Sequence, residues 1–240
     1  MKTHTSKAMG VAAAVAALAV SLPLAINAQA DDPVVPKPPA DPQGNCDPVR
    51  AELATSGTNL TQLATMPLGQ AISKIPSLST FYSAISGGLN PAVNVVPVLE
   101  NGPYVVFAPN NDAFAKLDPA ELETLKTDPA ALSKLDYYHA FLGLVGPDLV
   151  QGVRPSQEGT DITIKGKGGD IKVNDSAKVI CGGITGVNSR IYIIDTVLDP
   201  ATGGSISSEQ RSSMAASAST TTTTSSATQA ADQPAPPPAG

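Results

Sequence analysis

The apolar positions of this chain repeat with a helical period in its first half and with a strand period in its second half. One face of a predicted helix carries the first set, which is Leu78, Phe81, Tyr82, Ile85 and Leu89. Further along, Ile162 and Ile164 alternate with polar residues, and the alternation resumes at Ile171-Lys172-Val173 after a glycine-rich turn at 166–169. The chain is therefore expected to place helices before strands.

Further signals mark element boundaries between and after these two sets. The apolar run at 104–108 predicts a strand that is buried on both faces. Asp118-Pro119 and Asp128-Pro129 each supply an N-cap acid followed by proline at the first helical position, so each predicts a helix start. A last apolar run at 191–198 predicts a strand that ends at Asp199-Pro200. This order indicates an α+β fold, a single domain with helices packed on a mostly antiparallel sheet.

The first thirty residues have the composition of a cleaved signal peptide. Lys2 and Lys7 give a basic start, an Ala/Val/Leu-rich stretch covers 10–25, and Ala28-Gln29-Ala30 supplies the small-x-small cleavage pattern. The apolar stretch contains Pro23 and falls short of the roughly 20 apolar residues that a membrane-spanning helix needs. Export with cleavage is therefore expected rather than a retained membrane anchor.

The remaining chain divides into three parts by composition. Residues 31–45 are rich in proline and predict an extended spacer. Residues 46–200 are expected to form one domain, large enough to bury a substantial core. Residues 201–240 are nearly all Ser, Thr, Ala, Gly, Gln and Pro, which predicts a disordered tail. We expect a secreted, extracellular protein, either free or associated with the cell wall.

The charge balance limits the kind of partner. The whole chain has a formal net charge of −6, and removal of the predicted signal takes away two lysines and no acid, which leaves 13 basic against 21 acidic residues. A chain this acidic is not suited to general nucleic-acid binding. No second apolar run is long enough to cross a bilayer, so no transmembrane anchor is expected.

The predicted domain holds two cysteines, Cys46 and Cys181. An even number in an exported chain predicts a disulfide, because an oxidising compartment gives few reasons to keep thiols free. Two buried free thiols are the alternative.

Three segments of the domain resemble the fasciclin (FAS1) family. The segment at 104–114 is an apolar strand followed by Ala-Pro-Asn-Asn-Asp-Ala-Phe, the second segment is the pair Tyr138-His139, and the segment at 191–200 is an apolar strand followed by Asp-Thr-Val-Leu-Asp-Pro. Their order and spacing fit across nearly the whole domain. The two cysteines, with Cys181-Gly182-Gly183, are similar to the secreted fasciclin-domain antigens of mycobacteria and related actinobacteria.

The resemblance implies an adhesive role. In animal members the Tyr-His region is linked to integrin adhesion, and an Asp-Ile pair precedes the last segment. The matching residues here are Gly183-Ile184, so the acid is absent and integrin binding through that motif is in doubt. The expected partner is an extracellular matrix protein, a cell-surface receptor or a surface glycan.

The candidate chemistry centres on one histidine. His139 is the only histidine left after signal cleavage, because His4 lies in the signal. Its apolar neighbours favour a hydrogen-bonded residue that flanks the core, with partner binding by Tyr138 and His139 as the alternative. Neither a Gly-x-Ser-x-Gly elbow nor a set of zinc ligands is present, so no enzyme activity, metal site or cofactor is expected.

A second candidate contact region is the lysine-bearing hairpin. Lys165 and Lys167 lie beside the turn, and Lys172 and Lys178 follow. Lysines on an edge strand discourage aggregation, which is the preferred interpretation, and contact with an anionic surface glycan is the alternative.

The sequence therefore predicts a secreted, non-catalytic protein that acts in cell adhesion, surface association or host-matrix interaction. The alternative is an extracellular protein that binds a small ligand or lipid in a groove between the helices and the sheet.

Overall fold

The computed structural model describes residues 41–205. The predicted signal peptide at 1–30, most of the spacer and most of the tail lie outside the described residues. The packed structure begins slightly before the expected boundary at Cys46, because a short strand already forms at Gln43–Gly44.

Eight α-helices precede or interrupt the sheet in the described part of the chain. They are α1 Asp47–Thr55, α2 Leu60–Leu63, α3 Leu68–Ser73, α4 Ser79–Ser86, α5 Val96–Glu100, α6 Asn111–Ala115, α7 Pro119–Thr127 and α8 Pro129–Tyr138, and a short 3₁₀ turn covers Pro76–Leu78.

Side-chain caps begin the helices where the sequence predicted them. The Asp118 carboxylate accepts from the Ala120 N–H at 2.9 Å to start α7, and the Asp128 carboxylate accepts from the Ala130 N–H at 2.9 Å to start α8. The Asn110 side chain accepts from the Ala113 N–H at 2.8 Å and starts α6. These caps satisfy amide groups that have no partner inside the helix.

The predicted helix around Phe81 ends earlier than its apolar pattern suggested. Gly87 has φ +90°, a left-handed conformation that glycine adopts without steric cost, and it terminates α4 after Ser86. Leu89 packs against the core from the loop that follows the helix.

Ten short strands complete the described structure. They are β1 Gln43–Gly44, β2 Tyr104–Pro109, β3 Ala140–Leu142, β4 Gly152–Pro155, β5 Asp161–Lys167, β6 Asp170–Val173, β7 Ala177–Gly186, β8 Ser189–Ile194, β9 Leu198–Asp199 and β10 Gly204–Ser205.

The main sheet has the order β3-β2-β8-β7-β6-β5-β4, and β1 pairs with β7. All pairs within it are antiparallel except β2 with β8. The Gln157 N–H, just beyond β4, donates to the Ala140 carbonyl of β3 at 2.8 Å, so the two ends of the sheet approach each other and the sheet is nearly a barrel. The predicted α+β class is confirmed, and the sheet is more strongly curved than the sequence indicated.

Strand β2 lies between the two cores, as its uninterrupted apolar run predicted. Val106 and Ala108 pack with the helices in one cluster, and Val105 and Phe107 pack in a second cluster inside the curved sheet. Every residue of β2 is buried.

The last predicted strand, at 191–198, is divided in two. Strand β8 ends at Ile194 because the chain turns at Asp195, whose carboxylate accepts from the Lys178 N–H at 2.8 Å. The chain resumes as β9, which pairs with β10 rather than with the main sheet.

Cys46 and Cys181 form a disulfide across 135 residues of sequence. It joins the start of α1 to the middle of β7, and both cysteines are buried. The pairing agrees with the expectation from the even cysteine count. The chain-entropy model assigns a loop of this length a stabilisation of about 4–5 kcal/mol.

Candidate functional site

His139 follows the last residue of α8, and both of its ring nitrogens bond to main-chain groups. Nδ1 lies 2.8 Å from the Leu135 carbonyl oxygen, and Nε2 accepts from the Leu198 N–H at 3.0 Å. The amide can only donate and the carbonyl can only accept, so the ring is neutral with its proton on Nδ1.

This histidine connects the three segments that the sequence singled out. Its own carbonyl accepts from the Phe107 N–H of β2 at 2.8 Å, and its ring holds Leu198 of the last segment. Its ring also packs beside Phe81 of α4, with 6.0 Å between ring centroids. The Tyr-His segment therefore acts as the link between the other two segments and the helical layer.

Burial removes His139 from acid–base chemistry near neutral pH. The side chain is fully buried, and desolvation lowers its pKa to about 4, against the partly opposing effect of the bond to Leu135. A general base needs exposure to a substrate and a pKa near the working pH, and His139 has neither.

Tyr138 points into the second cluster and anchors the strand layer. Its hydroxyl accepts from the Asn174 side-chain amide at 2.8 Å and donates to the Asp161 carbonyl at 3.3 Å. Asn174, which has φ +49°, also accepts from the Thr163 N–H at 2.9 Å. These bonds fix the hairpin of β5 and β6 against α8.

The alternative interpretation, in which the side chains of Tyr138 and His139 contact a partner directly, is therefore wrong. Neither side chain is exposed, so neither offers a surface to another molecule. Ile184, at the position that matches the animal integrin motif, is also fully buried.

Asp136 is a buried acid on α8 that was not among the predicted site residues. It is 1% exposed, and neither carboxylate oxygen has a hydrogen-bond partner among the described residues. Burial raises its pKa to about 8, so the folded protein holds the acid neutral at pH 7. The helical spacing from Leu132 to Asp136 was a signal that this position faces inwards.

A cavity lies between α7, α8 and the end of β9. Its volume is about 240 Å³, and its lining is Glu121, Thr124, Leu125, Ala131, Lys134, Leu135, Asp199, Pro200 and Ala201. Pockets for drug-sized ligands are typically about 300–1,000 Å³. The cavity is therefore small for the lipid or ligand groove that was the alternative prediction.

Exposed aliphatic side chains concentrate in the segment that joins β3 to β4. We call residues 142–153 the β3–β4 segment. Of the six large apolar side chains that are exposed in the described structure, four lie in it: Leu142, Leu144, Leu149 and Val153. The other two, Val98 and Val187, lie apart from it in sequence.

The backbone of the β3–β4 segment is fixed across the sheet. The Val145 carbonyl accepts from the Tyr192 hydroxyl at 2.8 Å, and the Pro147 carbonyl accepts from the Gly168 N–H at 2.9 Å. Val145 itself packs against the second cluster. The exposed leucines are therefore presented from an ordered backbone.

Lys165 and Lys167 are exposed on β5, and Lys165 forms an ion pair with Asp175 at 2.7 Å. Strand β5 lies between β4 and β6, but β4 pairs only with residues 161–164. Lys165 and Lys167 therefore lie beyond the β4 pairing, and their protection of an exposed strand edge stays a prediction. They lie on β5, whereas Tyr138 and His139 are buried at the end of α8, so the predicted site residues do not form one cluster.

Residues 41–205 contain no group of three or more His, Cys, Asp or Glu side chains suited to a metal ion. Within the same range, no helix has the length and apolar character to cross a bilayer.

Comparisons with known proteins extend this picture. The family model for the fasciclin domain matches residues 76–200. The cell surface glycolipoprotein MPB83 of Mycobacterium bovis is 40% identical over 173 residues, which cover 70% of this chain and 78% of that protein. The immunogenic protein MPB70 of the same species is 38% identical over 171 residues, which cover 70% of this chain and 88% of that protein.

Among solved structures, a FAS1 domain pair from the insect cell adhesion molecule Fasciclin I matches 51% of this chain and 45% of its own, with a TM-score of 0.39 and 17% identity. The matched range 76–200 contains all three segments that His139 holds together. With this family match and these relatives, the chain belongs to the fasciclin domain family.

Proposed function

We propose that this protein is exported, remains outside the cell or at its surface, and acts there by binding an extracellular protein partner in adhesion or host-matrix interaction, without catalysis. The names of its relatives, a cell surface glycolipoprotein and an immunogenic protein, support the surface location. The family membership supports the adhesive role.

The proposal that the protein is not an enzyme rests on the hydrogen bonds of the His139 ring. It is the only histidine beyond the predicted signal, and both ring nitrogens are occupied by the main chain. A histidine-dependent hydrolase would need this ring free to exchange a proton with a serine or a water. The buried centre of the domain, where His139 lies, is used to hold the fold, which leaves function to the surface.

We place the protein contact on the β3–β4 segment. Residues 142–153 combine four exposed aliphatic side chains with only one charged residue, Asp148. Apolar surface depleted of charge is typical of the centre of protein–protein interfaces. A protein partner therefore suits this segment better than a glycan, which would need polar and charged contacts.

The test is a binding measurement with the exported chain on immobilised fibronectin, collagen and laminin. The double variant Leu142→Ser/Leu149→Ser removes two side chains that are 60% and 70% exposed. The matched control Val98→Ser/Val187→Ser removes two that are 43% and 49% exposed elsewhere. Surface substitutions of this kind change stability by only about 0.5 kcal/mol each, so both variants should fold.

We expect the wild type and the control to bind at least one matrix protein, and the β3–β4 variant to bind roughly tenfold more weakly or not at all. Equal weakening of both variants would refute the assignment to this segment. Failure of the wild type to bind any matrix protein would count against the adhesive role.

A further inference from the structure

Three lysines form a straight row across the outer face of the sheet. In the strand register, Lys165 of β5 lies opposite Lys172 of β6, and Lys172 lies opposite Lys178 of β7. Register partners project from the same face, and neighbouring strands are about 4.8 Å apart, so the row spans roughly 10 Å. All three side chains are exposed.

The row is unfavourable for the isolated domain. Like charges directly opposite each other on neighbouring strands repel. Lys165 is compensated by Asp175, but neither Lys172 nor Lys178 forms an ion pair with any acid in the described part of the chain. Lys172 is paired on both sides, with Lys165 and with Lys178, so protection of a sheet edge does not account for this central lysine.

We propose that the lysine row, Lys165, Lys172 and Lys178, binds one linear polysaccharide that carries carboxylate or sulfate groups. A polymer laid across the strands meets the three ammonium groups in succession, and its anions relieve their mutual repulsion. The proposal deepens the surface association proposed above and rests on export, but it uses a surface separate from the β3–β4 segment.

The acids around the row favour a narrow polymer over a flat anionic membrane. Asp175 lies beside one end of the row, and the Asp195 carboxylate, which bonds to the Lys178 main chain, lies at the other end. The next lysine, Lys167, faces Asp170 across the hairpin. A broad anionic surface would meet these acids and an exported chain with 13 basic against 21 acidic residues, whereas a single polymer chain can contact the lysines alone.

Binding of the exported chain to heparin and to alginate, measured by calorimetry over a range of salt concentrations, tests the proposal. The variant Lys165→Gln/Lys172→Gln/Lys178→Gln removes the row. The control Lys74→Gln/Lys126→Gln/Lys134→Gln removes three exposed lysines elsewhere and changes the net charge equally. A third arm measures binding to vesicles that contain phosphatidylglycerol.

We expect wild type and control to bind at least one polysaccharide, with affinity that falls as salt rises, and the row variant to bind roughly tenfold more weakly. Equal losses in both variants would show a net-charge effect and overturn the proposal. Binding to vesicles but to neither polysaccharide would overturn it in favour of a membrane. Absence of polysaccharide binding would overturn it while leaving the matrix-protein result unaffected.

Discussion

Replacement of His139 with alanine should destabilise the domain severely before it affects any surface activity. The change leaves the Leu198 N–H without its acceptor in a site that excludes water. An unpaired buried donor costs about 1–3 kcal/mol, and loss of the packed ring adds a cavity cost. Together these costs should lower the free energy of unfolding by about 3–5 kcal/mol at pH 7, which is a large part of the stability of a typical domain.

The same variant should alter the dependence of stability on pH. The folded pKa of His139 is about 4 and the ordinary value is 6.5, so the unfolded chain takes up a proton first as the pH falls. Stability contributed by the neutral ring is therefore full above pH 6.5 and is lost as the pH falls towards 4. At about 1.4 kcal/mol per pH unit, this loss is about 3 kcal/mol in the wild type and absent in the variant.

Urea unfolding of wild type and His139→Ala at pH 7.0, 5.5 and 4.0 measures both effects. The difference in free energy of unfolding should be largest at pH 7.0 and should shrink towards pH 4.0, with equal slopes in urea. Lys134→Ala, an exposed change on the same helix, serves as the control and should cost less than about 1 kcal/mol. A midpoint that does not move in His139→Ala would refute the structural role of this residue.

Three further outcomes follow from other buried features. The raised pKa of Asp136 makes the wild type lose stability as the pH rises from 4 to 8, because the unfolded chain releases the proton first. Asp136→Asn lacks this loss, so its free energy of unfolding should gain several kcal/mol relative to wild type over that interval. Urea unfolding that gives parallel plots of stability against pH for the two proteins would contradict this. Conversion of both Cys46 and Cys181 to serine should lower the free energy of unfolding by about 2–5 kcal/mol, and an unchanged urea midpoint would argue against the bridge. Gly183→Ala should lower the melting temperature, since Gly183 has φ +85° and an added Cβ would lie 2.7 Å from Pro147; a melting temperature equal to that of wild type would show that this contact yields easily.

Local signals in the sequence predicted much of the fold. The apolar run at 104–108, the Asp-Pro pairs before α7 and α8, and the alternation on both sides of the glycine-rich turn each specify an element through chain-local chemistry. The early end of β8 was missed, because Asp195 turns the chain by bonding to Lys178 on a neighbouring strand. Such a bond depends on pairing that the local sequence does not encode.

The surface could be predicted less well than the core. Whether Lys165 protects an edge depends on strand order, and strand order arises from contacts between residues far apart in sequence. The row of lysines likewise requires the register of β6 with β7. His139 was predicted to bond near the core, but its partner Leu198 lies 59 residues away, so its role as a link between segments became visible only in the fold.

The most direct test of the account is the location and N-terminus of the chain made by intact cells. Cells are treated with a protease that cannot enter them, and the chain in the medium, on the surface and inside the cells is identified by mass spectrometry. We expect a chain that begins near Asp31 and is found in the medium or is removed from the surface by the protease. A chain that keeps Met1 and stays protected inside intact cells would contradict an extracellular binding function.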